Sequence, residues 1–457
     1  MRRKKSQSSL FSISILVLMI VGVVYIYSSV MFEREIPKVS LNSNGYWNLK
    51  KPLDLDVNDI SGIKSYSVIL KSKSGENILY NEEFIKPKES LVLKIKPPRS
   101  AYAIKDKNIK IIIKVTDASK WNFLKGNTAV KVFDLIIDKR RPKLEIISHS
   151  YKIKKGGAAL VIFKVNDDNL KEFYIKTNFG KKFKAQPFYK DDYYISLLAW
   201  PVTSKKFKAT IIATDYANNN VKRYIPLFLK QKKYKVSKIK LSDSFLKGKI
   251  AELGEEFSET QGVENLLEQF KIINEEIRAK NEKLIHEVTS KVSDEMISDF
   301  KINKMYPLKN AAVVASFGDH RKYSYNGSYV SESYHLGLDM ASNVQAKIKP
   351  QNGGKVVYSD YNGIYGNMPI IEHGLGLYTL YGHCSNVQIT LGDEVIDKEH
   401  IANTGKSGYA MGDHLHFGVL IQGIEVRPAE WMDETWMQLN INDIIESAKN
   451  IIDSGEQ

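Results

Sequence analysis

The 457-residue sequence predicts a multidomain, mainly β chain: an N-terminal transmembrane helix, two immunoglobulin-like β-sandwiches, a helical hairpin and a C-terminal β domain that carries chemistry. Three observations predict it. An uncharged apolar run follows a cluster of basic residues at the N-terminus. Short alternating apolar runs fill the stretch from Glu35 to about Lys230 and echo themselves once. Six of the nine histidines crowd into glycine-punctuated, strand-like sequence between Tyr334 and Gly418.

The N-terminal element comes first. Arg2, Arg3, Lys4 and Lys5 precede an uncharged stretch from Ser6 to Phe32. Its apolar part, Leu10 to Phe32, is about 23 residues, enough to cross a hydrocarbon core of roughly 30 Å. A cleaved signal has a shorter apolar region and an A-x-A-like exit. Ser28-Ser29-Val30 is a poor substitute for one, so residues 1–34 read as a basic tip and an uncleaved anchor. The basic residues on the leading side hold that end in the cytoplasm. Glu33 to Gln457 then lie outside, in a single-pass topology.

The region from Glu35 to about Lys230 is the stem. SYSVIL, LVLKIK, IKIIIKV, VKVFDLII, ALVIFKV, YYISLLAW and ATIIATD have the composition and alternation of strands. VNDISGIKSYSVI near Val57 echoes VNDDNLKEFYI near Val165, and KVTDASKWN near Val115 echoes IATDYANNN near Ala213. A period of about 100 residues is the size of an immunoglobulin-like sandwich. Two are expected, over 35–140 and 141–235, split near the basic KRRPK. Asp59, Asp117, Asp167 and Asp215 invite a calcium reading, but Asx-turns at strand ends account for them with less.

From about Leu241 the apolar spacing becomes helical. Ser242 or Ser244 caps a first helix running to about Phe257. Val263, Leu266, Leu267, Phe270, Ile273, Ile277, Leu284 and Val288 follow at spacings of three and four. The expectation over 236–305 is a helical hairpin packed on its own chain, placed to act as a regulatory lid. Asn440 to Ile452 reads as a short amphipathic helix within the 436–457 tail.

Composition narrows the function classes. An apolar fraction of 43% supports packed cores, and the length suits about three domains. The net charge is +15, with the basic surplus mainly before residue 240. Its lysines are scattered through strand-like stretches and no nucleic-acid motif accompanies them, so no nucleic-acid partner is expected. Cys384 is the only cysteine, which excludes an intrachain disulfide. It adjoins His383, yet reads as a small buried side chain rather than a nucleophile.

The histidines fall into three motifs. SYHLGLDM places His335 and Asp339 four apart, LYGHCS carries His383, and GDHLHFGV carries His414 and His416. LHFGVLI is a strand, and its alternation turns His414 and His416 toward one face. His335, Asp339 and His416 together supply two imidazoles and a carboxylate, a donor set for zinc with one position open. His383 and His414 remain to take a proton from water or to stabilise a developing oxyanion. His373, His400 and His320 sit in turn or loop sequence and are not assigned to the site.

These residues carry a resemblance. The segment from about Asn310 to Trp431 resembles the catalytic domain of lysostaphin-type (LytM-domain) zinc endopeptidases of bacterial cell walls. The likeness rests on HLGLD, on VVYSDYNGIYGNMPIIEHGLGLYTLYGHCS and on GDEVIDKEHIANTGKSGYAMGDHLHFGV, with SFGDHR upstream. It implies an antiparallel β domain over 306–435 with the metal in a groove. It implies one Zn2+ per chain on His335, Asp339 and His416, with His383 and His414 as the catalytic pair. Tyr365, Tyr381 and Tyr409 are candidates for the groove wall. The implied substrate is the peptide cross-links of peptidoglycan, with protein regulators as further partners. The implied location is the inner membrane, with the catalytic domain periplasmic. Two rivals stand beside this: a non-catalytic wall-binding scaffold or hydrolase activator, and a peptidase for glycine-rich bridges.

Overall fold

The computed structural model describes residues 7–99 and 101–455. The basic tip at Arg2 to Lys5 lies outside the described residues. The chain divides into two compact units, one made of Met1–Pro142 with Asp167–Glu172 and Thr214–Asn220, the other of the remainder.

In the first unit, Gln7–Ser28 forms one α-helix. Its Phe11–Ser28 stretch is long and apolar enough to cross a membrane. Just after it, the Arg34 guanidinium lies between the rings of Tyr27 and Trp121, 4.3 and 4.4 Å from their centroids. The strands that follow form one six-stranded sheet: Lys38–Asn42, Leu53–Ser72, Asn108–Asp117, Thr128–Ile137 and Tyr46–Trp47 in that spatial order, with Gly75–Ile95 also pairing with Leu53–Ser72. This differs from the two separate sheets of an immunoglobulin-like sandwich. The cause is the length of Leu53–Ser72, whose register breaks between Asn58 and Ile63. Its first half pairs with Lys38–Asn42 and its second half with Asn108–Asp117. Gly62 sits in that break at φ +88°, where a Cβ would lie 2.8 Å from Pro87 Cβ. One sheet thus encloses one core, in which Leu55, Val57, Val68, Leu70, Ile111 and Ile113 alternate inward.

Most residues of two four-stranded sheets belong to the second unit. One orders Gln186–Pro187, Tyr193–Ala199, Ala158–Asn166 and Lys143–His149; the other orders Lys182–Phe183, Leu170–Thr177, Ala209–Asp215 and Asn220–Tyr224. The near-continuous burial of Ala158–Val165 fits a strand covered on both faces. One cover is the C-terminal tail. Ser150 Oγ donates to Asn440 O at 2.9 Å, and the helix Asp443–Ser454 buries Ile445, Ala448 and Ile452. Buried Glu430 accepts from Ala158 N at 3.0 Å, and the Gln422 amide exchanges two 2.9 Å bonds with the Lys184 backbone.

Val236–Lys240, assigned from sequence to a helical segment, is a strand that pairs in parallel with His320–Tyr325. Helical runs then occupy 243–256 and 266–288. Ser242 caps the first by accepting from Phe245 N, and Asn265 caps the second through Leu267 N and Glu268 N. Their apolar stripes do not stand alone: Leu246, Ile250, Phe270 and Ile273 share one core with Tyr323, Ile364, Met368 and Leu380. The C-terminal β domain centres on an eight-stranded sheet in the order Ala312–Ala315, Leu338–Ala341, Leu415–Ile421, Leu377–Gly382, Asn367–Glu372, Gly354–Tyr361 and Glu394–Val395, with Ile424–Val426 beside Leu415–Ile421.

Glu282 marks the cost of packing the second helical run. Burial, reinforced by the charge of Glu425, pushes its carboxyl up to about 7 despite Arg278 and His286 nearby. The native state therefore holds this proton more tightly than the unfolded chain, and stability falls as pH rises from about 4.5 to about 7. Glu282→Gln is expected to gain on the order of 2 kcal/mol at pH 8 and little at pH 4, read from melting curves at the two pH values.

Candidate metal centre

Strand register builds the centre. Leu338–Ala341 pairs antiparallel with Leu415–Ile421, so that Asp339 stands directly opposite His416. On the other side, Leu377–Gly382 sets Gly382 opposite His416. The glycine of HLGLD has a local reason: a Cβ on Gly337 would collide with the His416 ring. His335 follows the strand Ser328–Tyr334, and its amide donates to Asp319 O at 2.9 Å.

The side chains converge. Asp339 Oδ1 lies 2.8 Å from His416 Nδ1 and 2.9 Å from His335 Nε2, and the two nitrogens are 3.2 Å apart. Donors about 2.0–2.2 Å from a tetrahedral centre stand roughly 3.3 Å from one another. These spacings are close to that. The tautomers point the same way. His335 Nδ1 is 3.0 Å from Ser316 O, to which it donates, so in the neutral ring Nε2 is a bare lone pair facing a carboxylate oxygen. Acceptors that face one another call for a cation between them. Burial alone would raise the Asp339 carboxyl, but the two facing imidazoles of His335 and His416 hold it well below the usual carboxylate range. All three residues are buried. The donor set fits a zinc-class ion: two nitrogens, one carboxylate oxygen, no thiolate.

His383 and His414 stand over this triad. Their ring centroids are 4.8 Å apart, and the His383 ring is 5.8 Å from that of His416. Each donates Nδ1–H to a backbone carbonyl, His383 to Ser407 O and His414 to Gly412 O, both at 2.8 Å. In the neutral form of each ring that tautomer leaves Nε2 as the acceptor. His414 Nε2 is 3.7 Å from Asp339 Oδ2. Burial, with the neighbouring His416 and His414, pushes His383 down to about 3. Its backbone is in the left-handed region at φ +64°, uncommon outside glycine, and its amide donates to Tyr365 O at 2.8 Å.

The five residues line one cavity of about 640 Å3. Tyr365 and Tyr409 line it too, as the sequence suggested; Tyr381 does not. Tyr381 is buried behind the sheet, bonded to Thr379 and packed on Phe417, because alternation in Leu377–Gly382 turns it away from His416. Among the wall residues that sequence reasoning missed are Ile239 and Phe245 from upstream of the domain, Arg278 from the second helical run, and Arg321. Phe245 stacks on Tyr409 at 6.1 Å. Arg321 comes within 3.9 Å of Asp339 and 3.8 Å of Asp319, which Ser237 holds at 2.8 and 2.9 Å. Arg321 alone had a signal, its place in SFGDHR. The others reach the groove by packing across long sequence separations.

The remaining histidines lie elsewhere. His373 is fixed between Gly353 O and Thr379 Oγ1, each at 2.7 Å, His400 meets Asn403 at 3.2 Å, and His320 stacks on Tyr334. Cys384 is fully buried, and burial pushes its thiol up to about 12, which leaves no thiolate.

Residues 333–428 match the model of peptidase family M23. The chain is 28% identical over 138 residues to stage II sporulation protein Q of Bacillus subtilis, covering 29% of this chain and 48% of that protein. It is 31% identical over 129 residues to peptidoglycan DD-endopeptidase ShyB of Vibrio cholerae, covering 28% of this chain and 29% of that protein. It is 29% identical over 96 residues to murein hydrolase activator EnvC of Escherichia coli, covering 21% and 23%. The chain thus spans less than half the length of each of these relatives.

His383 generates a direct check. Kept neutral by burial, its ring is expected to show no protonation between pH 8 and pH 4 in the metal-free protein, followed through its imidazole NMR signals. A midpoint near 6.5, the ordinary histidine value, would remove the environment described for it.

Proposed function

We propose that this chain, whose residues 333–428 form a peptidase family M23 domain, is a membrane-anchored zinc endopeptidase that hydrolyses peptide cross-links of peptidoglycan. The observation that carries the proposal is the convergence of His335, Asp339 and His416 on one point, overlooked by His383 and His414.

In this reading His335, Asp339 and His416 hold one Zn2+. When bound, zinc supplies Lewis acidity, which polarises the scissile carbonyl and makes water a stronger acid. The chain's own residues do the rest. With Nδ1–H spent on a backbone carbonyl, His383 and His414 each turn a proton-accepting Nε2 toward the groove. One of them takes the proton of the attacking water on Nε2 and returns that same proton to the leaving amine; the other, when it carries a proton drawn from solvent on Nε2, steadies the tetrahedral oxyanion. Arg321 lies behind Asp339 and adds positive charge to the side of the groove where negative charge develops. Tyr365 and Tyr409, with Phe245 on the upstream wall, give an extended peptide apolar surface to lie against.

The helix Gln7–Ser28 supports an anchor at the inner membrane, with the basic tip cytoplasmic and the catalytic domain periplasmic. The bond cut would be a D-alanyl–diaminopimelate cross-link. Relatives that include a hydrolase activator keep a second reading in view, a wall-binding protein without its own turnover. The intact set of five residues favours the enzyme.

Loss of His335 or Asp339 to alanine is expected to remove bound zinc and activity together, measured by metal content and by release of cleaved stem peptides. His414→Ala should keep zinc and lose about 100-fold or more in turnover. Purified wall material digested with and without chelator distinguishes the readings. Chelator-sensitive cleavage of stem-peptide cross-links supports the enzyme; intact cross-links with zinc bound would leave only the activator, and cleavage confined to a pentaglycine peptide would move the substrate class.

A further inference from the structure

Where the N-terminal helix ends, the first unit grips it. Lys120 N donates to Met31 O at 2.7 Å, and Ser119 Oγ and Asn127 Nδ2 donate to Glu33 O at 2.7 and 2.9 Å. The Arg34 guanidinium lies between the rings of Tyr27 and Trp121. The segment from Ser119 to Asn127 is therefore fixed beside the last turn of the helix.

The helix gives that segment a height. The stretch Phe11–Ser28 rises by roughly 27 Å. A hydrocarbon core is roughly 30 Å thick. With the helix across it, Tyr27 stands at the boundary between acyl chains and headgroups, and Trp121, which shares Arg34 with it, stands there too. Tyrosine and tryptophan are the residues enriched at that level.

The loop beyond Trp121 is apolar and uncovered. Phe123 is 93% exposed and Leu124 70%. Asn122, Phe123 and Leu124 have φ of +54°, +56° and +68°, a conformation costly for three successive residues other than glycine. Backbone bonds close the loop on itself, Leu124 N to Lys120 O at 3.2 Å and Gly126 N to Trp121 O at 3.3 Å. Its two large apolar side chains gain little burial within the protein to offset that cost. Val30 and Met31, also exposed, adjoin the loop through the Met31–Lys120 bond. Lys120 and Lys125, both exposed, flank it.

We propose that the loop Lys120–Lys125 docks into the lipid bilayer beside the helix, with Phe123 and Leu124 below the headgroups and the two lysines at the phosphates. Two features select lipid as the occupant. The patch continues the surface of a helix whose Phe11–Ser28 stretch is itself uncovered by protein, and its flanking charges suit anionic phosphate. The contact depends on the membrane anchor proposed above and adds a second point of attachment. One helix leaves the first unit free to swing; two adjoining contacts fix its tilt on the membrane.

The test uses the full chain in vesicles of phosphatidylethanolamine and phosphatidylglycerol. Phe123→Cys, Leu124→Cys and Lys73→Cys each receive a small fluorescent label, with the natural chain, whose Cys384 is buried, as the blank. Lys73 is exposed and distant: Ile63 pairs with Asp117 at the base of the loop, while Lys71 pairs with Lys110. That places it roughly 25 Å along the strands. Lipid carrying a nitroxide high on its acyl chain is expected to quench the labels at 123 and 124 about twofold or more, and the label at 73 hardly at all. Should a labelled variant melt below the natural chain, Trp121 decides, since it is 37% exposed and the other four tryptophans are buried. Brominated lipid is expected to quench the natural chain, and less so the double variant Phe123→Ser with Leu124→Ser. Release of the chain by alkaline carbonate would overturn the anchor and this contact together. A retained chain whose labels at 123 and 124 are quenched no more than that at 73, or whose double variant is quenched as the natural chain is, would overturn the contact alone.

Discussion

Everything in the C-terminal domain depends on lone pairs held facing one another. Backbone carbonyls of Ser316, Ser407 and Gly412 take the Nδ1 protons of His335, His383 and His414, which fixes each ring's tautomer and its direction. His416 breaks that pattern and turns Nδ1 inward toward Asp339. Without a cation such a gathering is unfavourable, so the surrounding sheet must hold it in place. It does so through register: Asp339, His416 and Gly382 lie abreast on three neighbouring strands. Glycine at 337 and 382 leaves room for the His416 ring between them.

The centre was legible in the sequence because its parts are local. Spacing of four in HLGLD and of two in HLH is enough to set donors on one face, and glycines mark where the backbone must come close. The groove was less legible. Tyr381 and Tyr365 look alike in sequence, yet strand alternation sends Tyr381 to the core, while the short helical turn Gly363–Tyr365 places Tyr365 at the cavity. Phe245 and Arg278 carry no local signal, since only packing of the helical runs onto the sheet delivers them. The stem shows the same limit. Its strands were readable from alternation, but a 20-residue strand, Leu53–Ser72, merges two expected sheets into one, and a bulge at Gly62 is invisible to a pattern of period two. The stem aspartates were read as turn formers singly; only the fold brings Asp138, Asp167 and Asp215 together.

The groove is not confined to the stretch that resembles other proteins. Val236–Lys240 adds a strand beside His320–Tyr325 and carries Ser237 to Asp319. The helical runs share their core with Tyr323, Ile364 and Leu380. The helical segments contribute Phe245 and Arg278 to the wall of the cavity, and their apolar faces pack on the sheet. The wall of the cavity is built partly by residues outside the histidine motifs.

The sealed thiol of Cys384 has a consequence for durability. With its only sulfhydryl locked in the core and every candidate donor at the centre nitrogen or oxygen, the domain offers peroxide or hypochlorous acid no thiolate to attack. Maturation requires no oxidising partner, and no mispaired dimer can form through sulfur while the fold is intact. Under oxidative attack the first lesions would fall instead on exposed methionines such as Met411, at the rim of the cavity.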